Sequence, residues 1–90
     1  MVQQIPLLHA DLEILEIEEN SYTVVDQGTG NVHYTDDIGV EIIHLIDGKR
    51  SINDITEILA VMYDAPSIEI FRDVEEYLKH LALAKMLTFK

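Results

Sequence analysis

The hydrophobic period of this chain changes at Thr35–Asp36, and that change limits its possible folds more than any other feature. Upstream, apolar and polar residues alternate; downstream, apolar residues recur every three or four positions. In "SYTVVD" (21–26), Tyr22 and Val24 fall on one side, Thr23 and Val25 on the other. In "NVHYT" (31–35), Val32 and Tyr34 share one face, Asn31, His33 and Thr35 the other. "QGTG" between them supplies two glycines for the positive φ of a hairpin loop. The earlier segment "LEILEIEE" (12–19) breaks strict alternation at Ile14–Leu15, and its spacing also suits a helix. Its isoleucines and the hairpin that follows favour a strand carrying a bulge.

Past the switch, Asp36 or Thr35 caps a helix with Ile38, Ile42, Leu45 and Ile46 on one stripe, and Gly48 stops it. Ser51 caps a second helix, with Asp54 in place of the usual Glu or Gln of a capping box. That helix shows Ile52, Ile55, Ile58, Leu59 and Met62, and ends at "DAP" because Pro66 disfavours helical geometry at Ala65. Ser67 caps a third helix, with Glu69 in its first turn and Phe71, Val74, Leu78 and Leu81 as its stripe. The end, "MLTFK", frays or adds a short extended segment. Three strands followed by three helices predict an α+β fold, the helices lying on one face of a three-stranded antiparallel sheet. Such a sheet has two edges that must be blunted, covered or used.

Ninety residues, 48% of them apolar, make one folded domain, 1–90. No apolar run is long enough to span a bilayer, and the start lacks the basic region of a signal peptide, so no membrane role is expected. With no cysteine there is no disulfide framework or thiolate site, and a cytoplasmic location is the simplest reading. The two helices around "IIHLIDGKRSINDITEIL" have the look of a DNA-reading helix-turn-helix, yet the net charge is -11. Residues 1–48 carry ten acids and no Lys or Arg; residues 49–90 carry seven acids and six bases. Such a field repels phosphates and steers basic partners inward. The third helix sets Arg72, Lys79 and Lys85 among Glu69, Asp73, Glu75 and Glu76, too few free cations for phosphate contacts, so no nucleic acid is expected.

The residues do not assemble a catalytic centre. "GTG" lacks the Lys-Ser or Lys-Thr of a phosphate loop. His9, His33, His44 and His80 show no helical pairing or zinc motif. Asp36–Asp37 and Glu75–Glu76 are adjacent, so on a helix they do not face each other as an acid–base couple. The chain is therefore expected not to be an enzyme and to need no cofactor. Binding of a peptide remains, with an exposed strand such as 31–35 accepting a partner strand.

The segments "DDIG" (36–39), "LIDGKRSINDI" (45–55) and "DVEEYLKHL" (73–81) stand in an order and spacing that resemble the PqqD-like family, the RiPP precursor peptide recognition element. The resemblance covers roughly residues 12–87 and departs in Asp36, where many members have Asn; both can cap a helix. It implies a small winged helix-turn-helix that binds the leader segment of a ribosomally made precursor peptide and presents it to modifying enzymes. The leader adds as a strand to Asn31, Val32, His33, Tyr34 and Thr35, in a groove walled by Ile70, Asp73, Val74, Tyr77, Leu78 and Leu81. Tyr77 is the expected groove-lining residue, with Asp73 beside it to meet a leader cation. Chain length points to a stand-alone member. The implied enzyme partner is a leader protease, a cyclase or a radical-SAM protein. Lasso peptide maturation is the first expectation, pyrroloquinoline quinone or radical-SAM peptide pathways the second. A winged-helix transcription regulator is the alternative of another class.

Overall fold

The computed structural model describes residues 4–8 and 11–90, so His9 lies outside it. The elements are β1 (Pro6–Leu8), β2 (Leu12–Glu18), β3 (Ser21–Asp26), β4 (Val32–Thr35), α1 (Asp37–Leu45), α2 (Ile52–Met62), α3 (Ser67–Leu83) and β5 (Leu87–Phe89). The alternating segments form an antiparallel sheet in the order β2-β3-β4, and the three helices follow, as the change of period predicts. The bulge in β2 is real: the register passes from Glu16↔Tyr22 to Glu18↔Ser21, leaving Ile17 without a partner.

Asp26 organises the hairpin between β3 and β4. Its buried carboxylate accepts from the N–H groups of Gly28 (2.8 Å) and Thr29 (3.3 Å). Gly30, at φ +79°, turns the chain back and donates to the Asp26 carbonyl at 2.7 Å. Asn31 gives its N–H to Thr29 Oγ1 and so ends the loop; the strand begins one residue later than the alternation suggests.

A second sheet is absent from the sequence-based reading. β1 and β5 pair antiparallel, from Pro6↔Phe89 to Leu8↔Leu87. Three residues at one end cannot display a period, and their partner lies at the other end of the chain. This terminal ribbon is fastened to the turn between α1 and α2. Ile52 N–H donates to the Gln4 carbonyl (3.0 Å), and Lys90 Nζ donates to the Gly48 carbonyl (3.1 Å). Gly48 has φ +79°, and a Cβ there would stand 3.2 Å from Leu7 Cδ1.

The helix ends follow local chemistry. Asp36 caps α1, its carboxylate accepting from Gly39 N–H at 3.0 Å. Ser51 and Asp54 complete a reciprocal capping box on α2, at 3.1 and 2.9 Å, so aspartate suffices where Glu or Gln is usual. The cap of α3 is Pro66 rather than Ser67: the Pro66 carbonyl accepts from Glu69 and Ile70 N–H, and Ser67 is already helical. α2 stops before Pro66 acts. Asp64 takes a left-handed conformation (φ 48°) while Ala65 N–H bonds back to the Ala60 carbonyl. Lys85 (φ 62°) and Met86 end α3 the same way, a motif that usually employs glycine. Met62, expected on the apolar stripe of α2, is exposed in that last turn.

The core joins the inner face of the sheet to all three helices through Val24, Ile42, Ile55, Leu59, Val74 and Leu78. Each such side chain contributes roughly 1.5–3 kcal/mol. The approach of α1 to the sheet depends on Gly39. A Cβ at that position would collide with Thr35 Oγ1 and stand 3.1 Å from Tyr77 Cζ. Asn20 Oδ1 accepts the Asp37 N–H at 3.0 Å, and a hydrogen bond to the Asp37 carboxylate pushes the Tyr22 phenol up to about 12.

Two stability measurements check this packing. Gly39→Ala should lower the urea-unfolding free energy by about 1–3 kcal/mol, although alanine is the better helix former. Thr56→Val should raise it by about 1 kcal/mol, because Thr56 Oγ1 is buried with no hydrogen-bond partner among the described residues.

Candidate functional site

β4 is an edge of its sheet. Asp26 N–H donates to the Asn31 carbonyl at 2.9 Å, so that carbonyl points at β3. Alternation along an antiparallel strand then turns the N–H and C=O groups of Val32 and Tyr34 to the open side. The side chains divide the other way. His33 and Thr35, half-buried, face the helices, whereas Val32 and Tyr34, 49% and 74% exposed, face away from them.

Alongside this edge runs a groove of about 870 Å³ between β4 and the C-terminal half of α3. His33, Thr35 and Asp36 form one wall, with Tyr34 bordering it at the open strand edge; Tyr77, His80, Leu81, Leu83 and Ala84 form the other. A smaller hollow of about 350 Å³ continues toward α1, lined by Asp36, Ile38, Gly39, Ile42, Asp73, Glu76, Tyr77 and His80. Asp36, Tyr77 and His80 belong to both, so the two hollows are parts of one trough.

Tyr77 joins the walls. Its hydroxyl lies 2.8 Å from His33 Nε2, and the rings meet edge to face with centroids 5.9 Å apart. Burial pushes the Tyr77 phenol up, and the Thr35 hydroxyl beside it acts in the opposite direction. Burial also lowers His33 below 6.5, with His80 adding like-charge repulsion. The imidazole is thus held neutral, and a neutral ring completes the Tyr77 bond as donor or as acceptor.

The residues expected at this site separate into layers. Val32, His33, Tyr34 and Thr35 form the open strand, and Asn31 sits just before it. Tyr77 and Leu81 line the main groove, and Asp73 and Tyr77 line its extension. Ile70, Val74 and Leu78 are buried and support the wall from behind. Asp36, Glu76, His80, Leu83 and Ala84 were not expected in the lining. His80 and Ala84 follow Tyr77 at i+3 and i+7, a helical signal that could have placed them on one face.

The bases that a DNA reader would need are engaged in part. Arg50 Nη1 donates to the Leu45 carbonyl at 3.2 Å and approaches Asp47 at 3.4 Å, while Lys90 is bonded to Gly48. Among the described residues no group of three or more His, Asp or Glu could hold a metal, and no helix is long and apolar enough to cross a membrane.

Comparison with known proteins adds an independent line. A family model described as Coenzyme PQQ synthesis protein D (PqqD) matches residues 21–87. A PqqA binding protein of Rhodopseudomonas palustris (strain TIE-1) is 47% identical over 53 residues, covering 59% of this chain and 52% of that protein. A PqqA binding protein of Rhizobium meliloti (strain 1021) is 38% identical over 52 residues, covering 58% and 53%. The chain spans about half the length of these curated relatives. Among solved structures, the PqqD truncation of Methylobacterium extorquens PqqCD, a stand-alone RiPP recognition element, aligns with a TM-score of 0.76 at 25% identity, covering 93% of this chain and 88% of that one. TbiB1 in complex with the TbiA(β) leader peptide aligns with a TM-score of 0.71 at 19% identity, covering 89% and 92%; this second likeness is one of fold.

The state of His33 gives a measurable pH dependence. Its folded pKa lies below the unfolded value of 6.5, so the unfolded chain binds the extra proton first as pH falls. Stability from this residue is full above 6.5 and declines until the folded pKa is reached. An NMR titration should place His33 below 6.5, and His33→Gln should remove that part of the pH-dependent fall in urea stability.

Proposed function

The chain belongs to the PqqD family, and from that premise we propose that it is a non-catalytic module that binds the leader segment of a ribosomally made precursor peptide. The observation that carries this reading is the unpaired edge of β4, set beside a groove walled by α3. A leader strand laid along β4 bonds to the N–H and C=O groups of Val32 and Tyr34, each bond contributing roughly 0.5–1.5 kcal/mol. Side chains opposite His33 and Thr35 enter the groove against Tyr77 and Leu81, and Asp73 stands at its far end to receive a leader cation. The module then presents the rest of the precursor to a modifying enzyme.

Two pathways are open to such a module. The relatives named for binding PqqA support a PqqA-like precursor. Lasso peptide maturation, with a leader protease and a cyclase, rests on the acidic first half. A precursor gene beside the gene for this protein, and the enzyme genes next to it, distinguish the two.

The probe is a fluorescein-labelled peptide covering the leader of that neighbouring precursor. It should bind at micromolar concentration and slow the amide exchange of Val32 and Tyr34. Tyr77→Ala should weaken binding roughly tenfold or more, with circular dichroism confirming that the variant is folded. If the labelled leader does not bind, the reading is wrong. A mobility shift with DNA at low salt would favour a winged-helix regulator instead.

A further inference from the structure

An added strand has two faces, and the groove accounts for only one of them. The sheet register extends across both. On the inner side, Ile14, Val24 and His33 form one row, and Glu16, Tyr22 and Thr35 form the next. On the outer side, Glu13, Val25 and Val32 form one row, and Leu15, Thr23 and Tyr34 form the next. Opposed residues of paired strands project to the same face. Leader residues opposite His33 and Thr35 therefore turn into the groove, and those opposite Val32 and Tyr34 continue the outer rows.

The outer rows end at the open edge in apolar side chains. Val32 and Tyr34 are exposed, and Leu15, two strands away in the Tyr34 row, is exposed as well. Among the described residues no helix covers the exposed Val32 and Tyr34 side chains on this face. The charged residue in these outer rows is an acid, Glu13, and Glu18 past the bulge adds a second acid to the same strand. A solvated antiparallel sheet ordinarily places polar residues there, and an aromatic left open on an edge strand invites cross-strand pairing.

We propose that the outer face of β4 is a second recognition surface for the same leader strand, one that selects apolar, non-acidic residues opposite Val32 and Tyr34. The proposal rests on the reading that β4 takes up a leader strand. It adds that four consecutive leader residues are recognised, two in the groove and two on the outer face, whereas the groove alone would read every second residue. The occupant of the outer rows is the bound strand itself, because the backbone groups that fix it to the edge belong to Val32 and Tyr34.

The test uses the labelled leader peptide of the neighbouring precursor. Its residues along β4 are changed one at a time to Glu. In parallel the protein carries Val32→Thr and Tyr34→Thr, which leave a β-branched, strand-forming residue at both positions. Both side chains are exposed, so the double variant should fold, and a thermal melt followed by circular dichroism checks this. Affinity should fall at all four consecutive peptide positions, and by about tenfold for the double variant. Loss at alternate positions only, with the double variant within twofold of wild type, would overturn the outer-face proposal while leaving strand addition intact. If the wild-type protein does not bind the leader, strand addition fails and the outer surface fails with it.

Discussion

A missing Cβ sets the geometry of this molecule. At Gly39 the first turn of α1 is pressed against Thr35, the last residue of β4, and against the ring of Tyr77 on α3. Sheet edge, helix start and groove wall meet at that point. The cap from Asp36 and the Asn20 bond to Asp37 fix the same junction from other sides. Because α1 sits this close, α3 stands near enough to β4 for Tyr77 to reach His33. A larger residue at Gly39 would force these elements apart and widen the trough.

Most of the fold was legible because the chain states its periods clearly. Alternation in 21–26 and 31–35, the glycine loop between them, the isoleucines of 12–19 and the switch at Thr35–Asp36 together point to a three-stranded sheet followed by three helices. Missed features depend on information that local sequence does not hold. β1 is three residues long and acquires meaning only from β5. The ends of α2 and α3 use Asp64 and Lys85 in left-handed conformations, so no glycine marks them. Pro66 sits close enough to look like the breaker of α2, yet its structural role is to cap α3.

The groove was legible in outline and not in detail. Tyr77 and the β4 residues follow from position in the family pattern, and the geometry brings them into contact. Ile70, Val74 and Leu78 share the helix with Tyr77 but are spent in the core, whereas Leu81, as deeply buried, also borders the groove. Exposed residues on the groove side, His80 and Leu83, left no mark in a search for apolar stripes. The helix-turn-helix look belongs to the scaffold, with its turn occupied by the terminal ribbon.

That ribbon also shapes how the molecule comes apart. Nearly the whole chain lies between Pro6 and Phe89, so their pairing closes the longest loop in the structure and carries the greatest closure entropy. Its few backbone bonds and the ties at Gln4, Gly48 and Lys90 work against that cost. Peeling the ribbon away recovers the entropy and leaves the pairings of β2, β3 and β4 untouched. An opening that begins at this ribbon has to expose Leu87 as well, and it leaves the β4 edge in place.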